Sequence, residues 1–110
     1  MAKGGYRGMG GNMGSLMAQA QKMQKQIEIA RQEIKELRLT GTSGGDKVKV
    51  VLGGDHKIYN IEIAKDVIDP EDPEMLADLI AAAYNQASEE LEKESTSRMN
   101  KITGGVQMPF

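Results

Sequence analysis

The chain has 110 residues, with no cysteine, no tryptophan, one histidine and a formal net charge of −2. Without cysteine there are no disulfides, thiolate nucleophiles or sulfur-ligated metals, and a single histidine leaves a conventional zinc site short of ligands. No apolar run reaches the ~20 residues needed to cross a bilayer, so the expectation is one small cytoplasmic domain whose limited core is helped by a partner subunit.

The charge is unevenly spread. Met1 to Arg38 holds seven Lys or Arg against three Glu, a balance of +4, and the remaining seven basic and thirteen acidic residues give −6. Such asymmetry directs one end toward an anionic partner although the total is acidic.

Residues 1–14, "MAKGGYRGMGGNMG", are rich in glycine and methionine without periodicity. They read as a flexible N-terminal arm. The stretch is basic, but no apolar h-region follows it as a secretory signal requires. Ser15 is the expected N-cap of a long helix. Within that helix Leu16, Ala20, Met23, Ile27, Ala30, Ile34 and Leu37 recur at alternating spacings of four and three, a heptad seam. The seam can pack on the chain's own sheet or on a second copy of itself. A helix of about twenty residues reaches ~30 Å, more than three short strands can cover, so part of it projects or meets a partner.

After Leu37 the period changes to an alternating one in "LRLTGTS", and alternation returns at Lys47 to Leu52 and at Ile58 to Ile63. These are three strands of an antiparallel meander. Glycine pairs at Gly44-Gly45 and Gly53-Gly54 bracket the middle strand. A phosphate-cradling loop opens a helix and carries a following Lys-Ser/Thr. Neither is present here, so both pairs are expected to supply the positive φ of hairpin turns.

"DVIDPEDPEM" is a loop ending in a helix start. Asp72 as N-cap with Pro73 at the first helical position suits both residues, and Asp69-Pro70 is a competing start. Leu76, Leu79, Ile80, Ala83, Ala87 and Leu91 then share one helical face, and the small side chains of "AAAYNQA" permit close packing. Gly104-Gly105 stops the helix, leaving residues 104–110 as a flexible tail. The organisation is a single α-β-β-β-α domain over 15–103, of α+β class.

No catalytic constellation emerges. The acidic run "SEELEKE" has the pattern of a solvated helix face, His56 lies in a turn without a Ser or Cys to activate, and Ser43, Ser88, Ser95 and Ser97 lack a nucleophile-elbow context. The methionines read as core filling and tail residues. Neither a cofactor, a metal nor a small-molecule substrate is expected. The basic residues of the first helix carry the remaining chemistry: Lys22 and Lys25 are three apart, as are Lys35 and Arg38, with Arg31 between the pairs. Repeated cations suit phosphates, and Gln21 and Gln24 can add hydrogen bonds. Scarce aromatics disfavour stacking on single strands. On these residues alone two readings stand: a duplex-DNA binder, or an interaction module that docks a partner helix through the heptad seam.

Four segments, "LMAQAQKMQKQI", "TGTSGGDKVKVVLGG", "VIDPEDPEMLADLIAAAYNQA" and "MNKITGG", occur in an order and spacing that resemble the YbaB/EbfC family of small bacterial nucleoid-associated proteins. The resemblance covers nearly the whole chain, departing from the family pattern at the end, where "QMPF" stands without a Pro-Gly pair. It implies a helix, three antiparallel strands and a helix, assembled as a tweezer-like homodimer with projecting helices. It further implies duplex DNA binding without enzymatic activity, in the cytoplasm at the nucleoid, with roles in nucleoid organisation and gene regulation. Charged residues of the projecting helices would meet DNA, which falls here on Lys22, Lys25, Arg31, Lys35 and Arg38. Arg98, Lys101, Lys3 and Arg7 are second in rank.

Overall fold

The structure, a computed structural model, describes residues 2–103, with side chains described from 13 to 102. In chain order it contains α1 (Ala2–Lys35), β1 (Arg38–Ser43), β2 (Val48–Gly53), β3 (Ile58–Ile63), a single 3₁₀ turn (Lys65–Val67) and α2 (Pro73–Thr103). The α+β architecture expected from the sequence is therefore present, with each strand within a residue of its anticipated span. The tail expected over 104–110 lies outside the described residues, as do the side chains of Lys3 and Arg7.

The first helix is longer than its periodic part. It begins at Ala2, so Ser15 sits inside it rather than capping it. Glycine lowers helix propensity by about 1 kcal/mol per residue but, unlike proline, neither removes an N–H nor clashes with the preceding turn. The glycines before Ser15 therefore do not block the helix. At its other end, Glu36 N donates to Glu33 O at 3.1 Å and Leu37 N to Ile34 O at 3.0 Å. These bonds across three residues tighten the last turn and use carbonyls that the helix itself leaves unpaired.

The strands form one antiparallel sheet in the order β1-β2-β3. Val48, Val50 and Leu52 point to one face and are fully buried, whereas Lys49 and Val51 between them are half-buried on the other. This alternation is what a sheet with one packed face requires. Val51 pairs with Asn60 but Leu52 pairs with Ile58, which leaves Tyr59 as the extra residue of a β-bulge.

Helix α2 covers the packed face. Asp72 accepts from Met75 N at 3.2 Å, the N-cap bond anticipated for it, and Pro73 is the first helical residue. Asp69, the competing start, instead closes a turn, accepting from Glu71 N at 2.9 Å. The helix lies so close to β1 that a Cβ on Gly41 would overlap the Ala83 carbonyl oxygen and come within 2.6 Å of Ala87 N. Ala83 and Ala87 are accordingly fully buried. Two bonds tie β1 to the helix: Ser43 Oγ donates to Leu79 O at 2.5 Å, and Gln86 Oε1 accepts from Thr42 N at 2.6 Å.

Two clusters make up the core. Ile34, Leu52, Ala87 and Leu91 form one; Val48, Val50, Val67 and Ala83 form the other, and Tyr84 packs against both. Each fully buried Val or Leu contributes about 1.5–3 kcal/mol. The core is small, and β3 lies at its margin with Ile58 48% and Ile61 41% exposed.

The two glycine pairs do different work. Gly44 and Gly45, with Asp46, have φ of 61°, 65° and 68°, as expected for the first hairpin. In the second hairpin the left-handed residue is His56, at φ 67°, and neither Gly53 nor Gly54 adopts positive φ. This corrects the expectation for that pair. Gly54 is needed for space, because a Cβ there would overlap the Ile34 carbonyl oxygen, and its N–H donates to Leu37 O at 3.0 Å. Histidine is among the few residues that tolerate the left-handed turn position. His56 is exposed there, as anticipated.

Candidate nucleic-acid interface

Helix α1 divides the heptad seam in two. Ile34 and Ala30 are buried and Ile27 is half-buried, because α2 runs antiparallel beside this end: Leu91 packs with Ile34, and Arg98 reaches Glu33. Further toward the N-terminus, Met23 is 38% exposed and Leu16 62%. This half of the helix extends past the end of α2 as an arm. The two coverings of the seam thus separate along its length, one met within the chain and one left open.

Lys22, Lys25, Arg31 and Lys35 are all exposed, and none takes part in an ion pair among the described residues. They do not form one stripe. Nine residues separate Lys22 from Arg31, about two and a half turns, so the two project from opposite sides of the helix. Lys22 with Lys25 and Arg31 with Lys35 are therefore two cationic pairs on different flanks. Between the flanks, on the side turned away from buried Ala30, lie exposed Gln21, Glu28 and Gln32.

Arg38 is placed differently. It begins β1, and its guanidinium carbon lies 3.7 Å from the centre of the Tyr59 ring. Arg38 Nη1 also donates to Leu37 O at 2.8 Å. The Tyr59 hydroxyl donates to Asp55 Oδ2 at 2.5 Å. That bond holds the Asp55 carboxyl below the usual carboxylate range and raises the Tyr59 phenol above its ordinary value. Arg38 is thus set apart from the four helical cations and is already engaged.

The second-rank residues divide as well. Arg98 bridges Glu33 at 3.6 Å and Glu94 at 3.4 Å, fastening α2 to α1 and neutralising one of the carboxylates of α1. Lys101 is exposed beside Glu33 and Ile102 in the groove between the helices. Outside the arm, Lys47 pairs with Asp66, which lowers the Asp66 carboxyl. Sequence reasoning missed the Arg38, Tyr59 and Asp55 cluster, whose members meet only through the bulge and the second hairpin. Among the described residues no group of acidic or histidine side chains is arranged to hold a metal ion. No described helix is long and apolar enough to cross a membrane.

A family model, the YbaB/EbfC DNA-binding family, matches residues 9–106. A nucleoid-associated protein of Clostridium acetobutylicum is 47% identical over 110 residues, covering 99% of this chain and 98% of that one. A nucleoid-associated protein of Acetivibrio thermocellus is 46% identical over 106 residues, covering 96% and 94%. The crystal structure of an uncharacterized protein from Helicobacter pylori shares the fold, with a TM-score of 0.66 at 22% identity over 84% of this chain and 94% of that one.

Proposed function

The chain belongs to the YbaB/EbfC DNA-binding family, and from that membership we propose that it is a non-enzymatic nucleoid-associated protein that binds duplex DNA as a homodimer. It acts in the cytoplasm at the nucleoid, contributing to nucleoid organisation and gene regulation. The observation that carries this reading is the set of four exposed helical cations that have no ion-pair partner among the described residues, Lys22, Lys25, Arg31 and Lys35. Placed on opposite flanks of one helix, they suit the two phosphate walls of a groove, with Gln21 and Gln32 available for hydrogen bonds between them. Recognition is then mainly of the backbone and only weakly of sequence.

The second copy is best accommodated at β3. The outer edge of β3 pairs with no strand among the described residues, and Ile58, Ile61, Ile68 and Met75 are each between 37% and 50% exposed around it. An unprotected edge with apolar neighbours is a template for pairing with another chain. A two-fold contact there would join two three-stranded sheets and supply two cationic arms to one body.

Fluorescence anisotropy with several unrelated duplexes across a salt series tests the reading, combined with the mass in solution. Similar affinities for all duplexes that fall steeply with salt, from a dimer, are expected. Absence of binding at low salt would reject DNA as the ligand, and a strong preference for one duplex would replace backbone recognition by base reading.

A further inference from the structure

The seam of α1 is covered along its inner half and open along its outer half. Ala30 and Ile34 are buried beside the antiparallel α2, whose Ile102, one residue from its end, lines a groove with Gln26, Ile29 and Ala30. Beyond that point Met13 and Leu16 are each 62% exposed, Met23 is 38% exposed, and Ala20 is exposed between them. The heptad spacing runs through both halves without a break. The outer half therefore continues a surface that already packs against an antiparallel helix, and no described helix of the same chain reaches it.

The residues flanking the open seam select what fits it. Gln19, Gln24 and Gln26 are exposed beside it, and no Asp or Glu occurs from Met13 to Ile27. Lys22 and Lys25 are the only charged residues of that stretch, and at ~3.6 residues per turn Lys25 lies opposite the seam and Lys22 beyond its flank. A charged partner finds no counter-ion along these edges. A glutamine amide both donates and accepts, so a row of them matches a second copy of itself. The seam residues match in the same way, because an antiparallel two-fold that sets Met13 against Met23 also sets the bulky Leu16 against the small Ala20.

We propose that the outer half of α1 pairs antiparallel with the same segment of a second copy, Met13 against Met23 of the partner subunit and Leu16 against Ala20 of the partner subunit. In this register the two Ile27 residues are 18 residues apart along the pair, about 27 Å at 1.5 Å per residue. The sheets lie beyond Ile34 and are farther apart still, so copies joined by their arms cannot also meet through β3. The arm contact thus links separate dimers, and two different two-fold contacts on one chain build an open series. Four layers make a short contact, below the ~1,200 Å² of a stable interface, so it fills where copies are concentrated, as along a duplex. Lys22 and Lys25 stay outside the pair, and the joined arms hold two duplexes together. This last consequence rests on the DNA-binding reading, whereas the pairing does not.

The chain has no cysteine, so introduced thiols report the register. Met13→Cys and Met23→Cys are made as separate full-length variants and oxidised at high protein concentration, alone and mixed. The mixture should form disulfide-linked pairs several-fold faster than either variant alone, and the linked product should have twice the native mass of the unlinked protein. Adding Leu16→Gln to both variants should abolish the excess; Leu16 is exposed, so circular dichroism should stay unchanged. Equal linkage by a single variant, no linkage in the mixture, or linkage that leaves the native mass unchanged would each overturn the proposal. For the link between duplexes, an immobilised duplex carrying the protein should retain a second, labelled duplex. Leu16→Gln should lower that retention several-fold while anisotropy with one short duplex is unchanged. Retention indifferent to Leu16→Gln would overturn the link between duplexes, and loss of single-duplex binding by the parent protein would instead reject the DNA-binding reading, with the disulfide experiment still deciding the pairing.

Discussion

The Arg38 guanidinium stacks 3.7 Å over the Tyr59 ring, while the same ring's hydroxyl donates to Asp55. One aromatic side chain thereby holds a cation on its face and an anion at its edge. Arg38 Nη1 is further occupied by the carbonyl of Leu37. Arg38→Gln is therefore expected to weaken DNA binding less than Lys25→Gln at equal ionic strength, measured by anisotropy. A larger loss for Arg38→Gln would return it to the contact set.

Removing Lys22, Lys25 and Arg31 together, each to Gln, should weaken binding to all duplexes alike. Each cation taken from a phosphate flattens the salt slope by about 0.9, so the triple variant, which removes three cations from each of two arms, should show a slope shallower by roughly 5. Arg98→Gln serves as the contrast, because its guanidinium is committed to Glu33 and Glu94; it should lower stability by up to about 1 kcal/mol with little change in slope. Unchanged binding by a folded, dimeric triple variant would remove the arm from the interface.

The bond between Tyr59 and Asp55 makes stability depend on pH in two directions. The Asp55 carboxyl is lowered by the Tyr59 hydroxyl, so its contribution is present above the unfolded carboxylate pKa and is lost as pH falls through the folded one. The Tyr59 phenol is raised by Asp55, so its contribution is present below the unfolded phenol pKa and is lost as pH rises through the folded one. Tyr59→Phe should flatten both limbs of a denaturation-midpoint profile and return the Asp55 carboxyl, followed by nuclear magnetic resonance, toward its ordinary range. An Asp55 titration indifferent to Tyr59→Phe would sink this account.

Gly54→Ala drives a methyl group into the Ile34 carbonyl, and Gly41→Ala drives one into the Ala83 carbonyl. Backbone cannot yield as a flexible side chain does, so each should cost at least the ~1–3 kcal/mol typical of overpacking, read from urea midpoints. Gly45→Ala meets no neighbour within 4 Å but must hold φ at 65°, which costs about 1–2 kcal/mol through backbone strain alone.

Ile61→Glu on the open margin of β3 should shift the mass in solution from dimer to monomer while leaving the circular dichroism spectrum largely intact, because Ile61 is 41% exposed in the single chain. A dimer that persists after this substitution places the second copy elsewhere.

Most of the fold was legible in the sequence because local chemistry dictated it. Alternation at Val48, Val50 and Leu52, the heptad spacing on α1, and Asp72 followed by Pro73 all act within a few residues, and each appears where its period or cap placed it. The same local reasoning failed at Ser15 and at Gly53-Gly54. Capping preference yields when the preceding residues can themselves be helical, and a glycine needed for space looks like one needed for a turn. The basic residues of the arm were likewise visible in the sequence, but not their division. Which cations are spent and which are free depends on partners distant in the chain, Arg98 on Glu33 and Arg38 on Tyr59 across the sheet. Only the tertiary structure brings those groups within a few ångströms, where charge and ring attract each other strongly enough to choose.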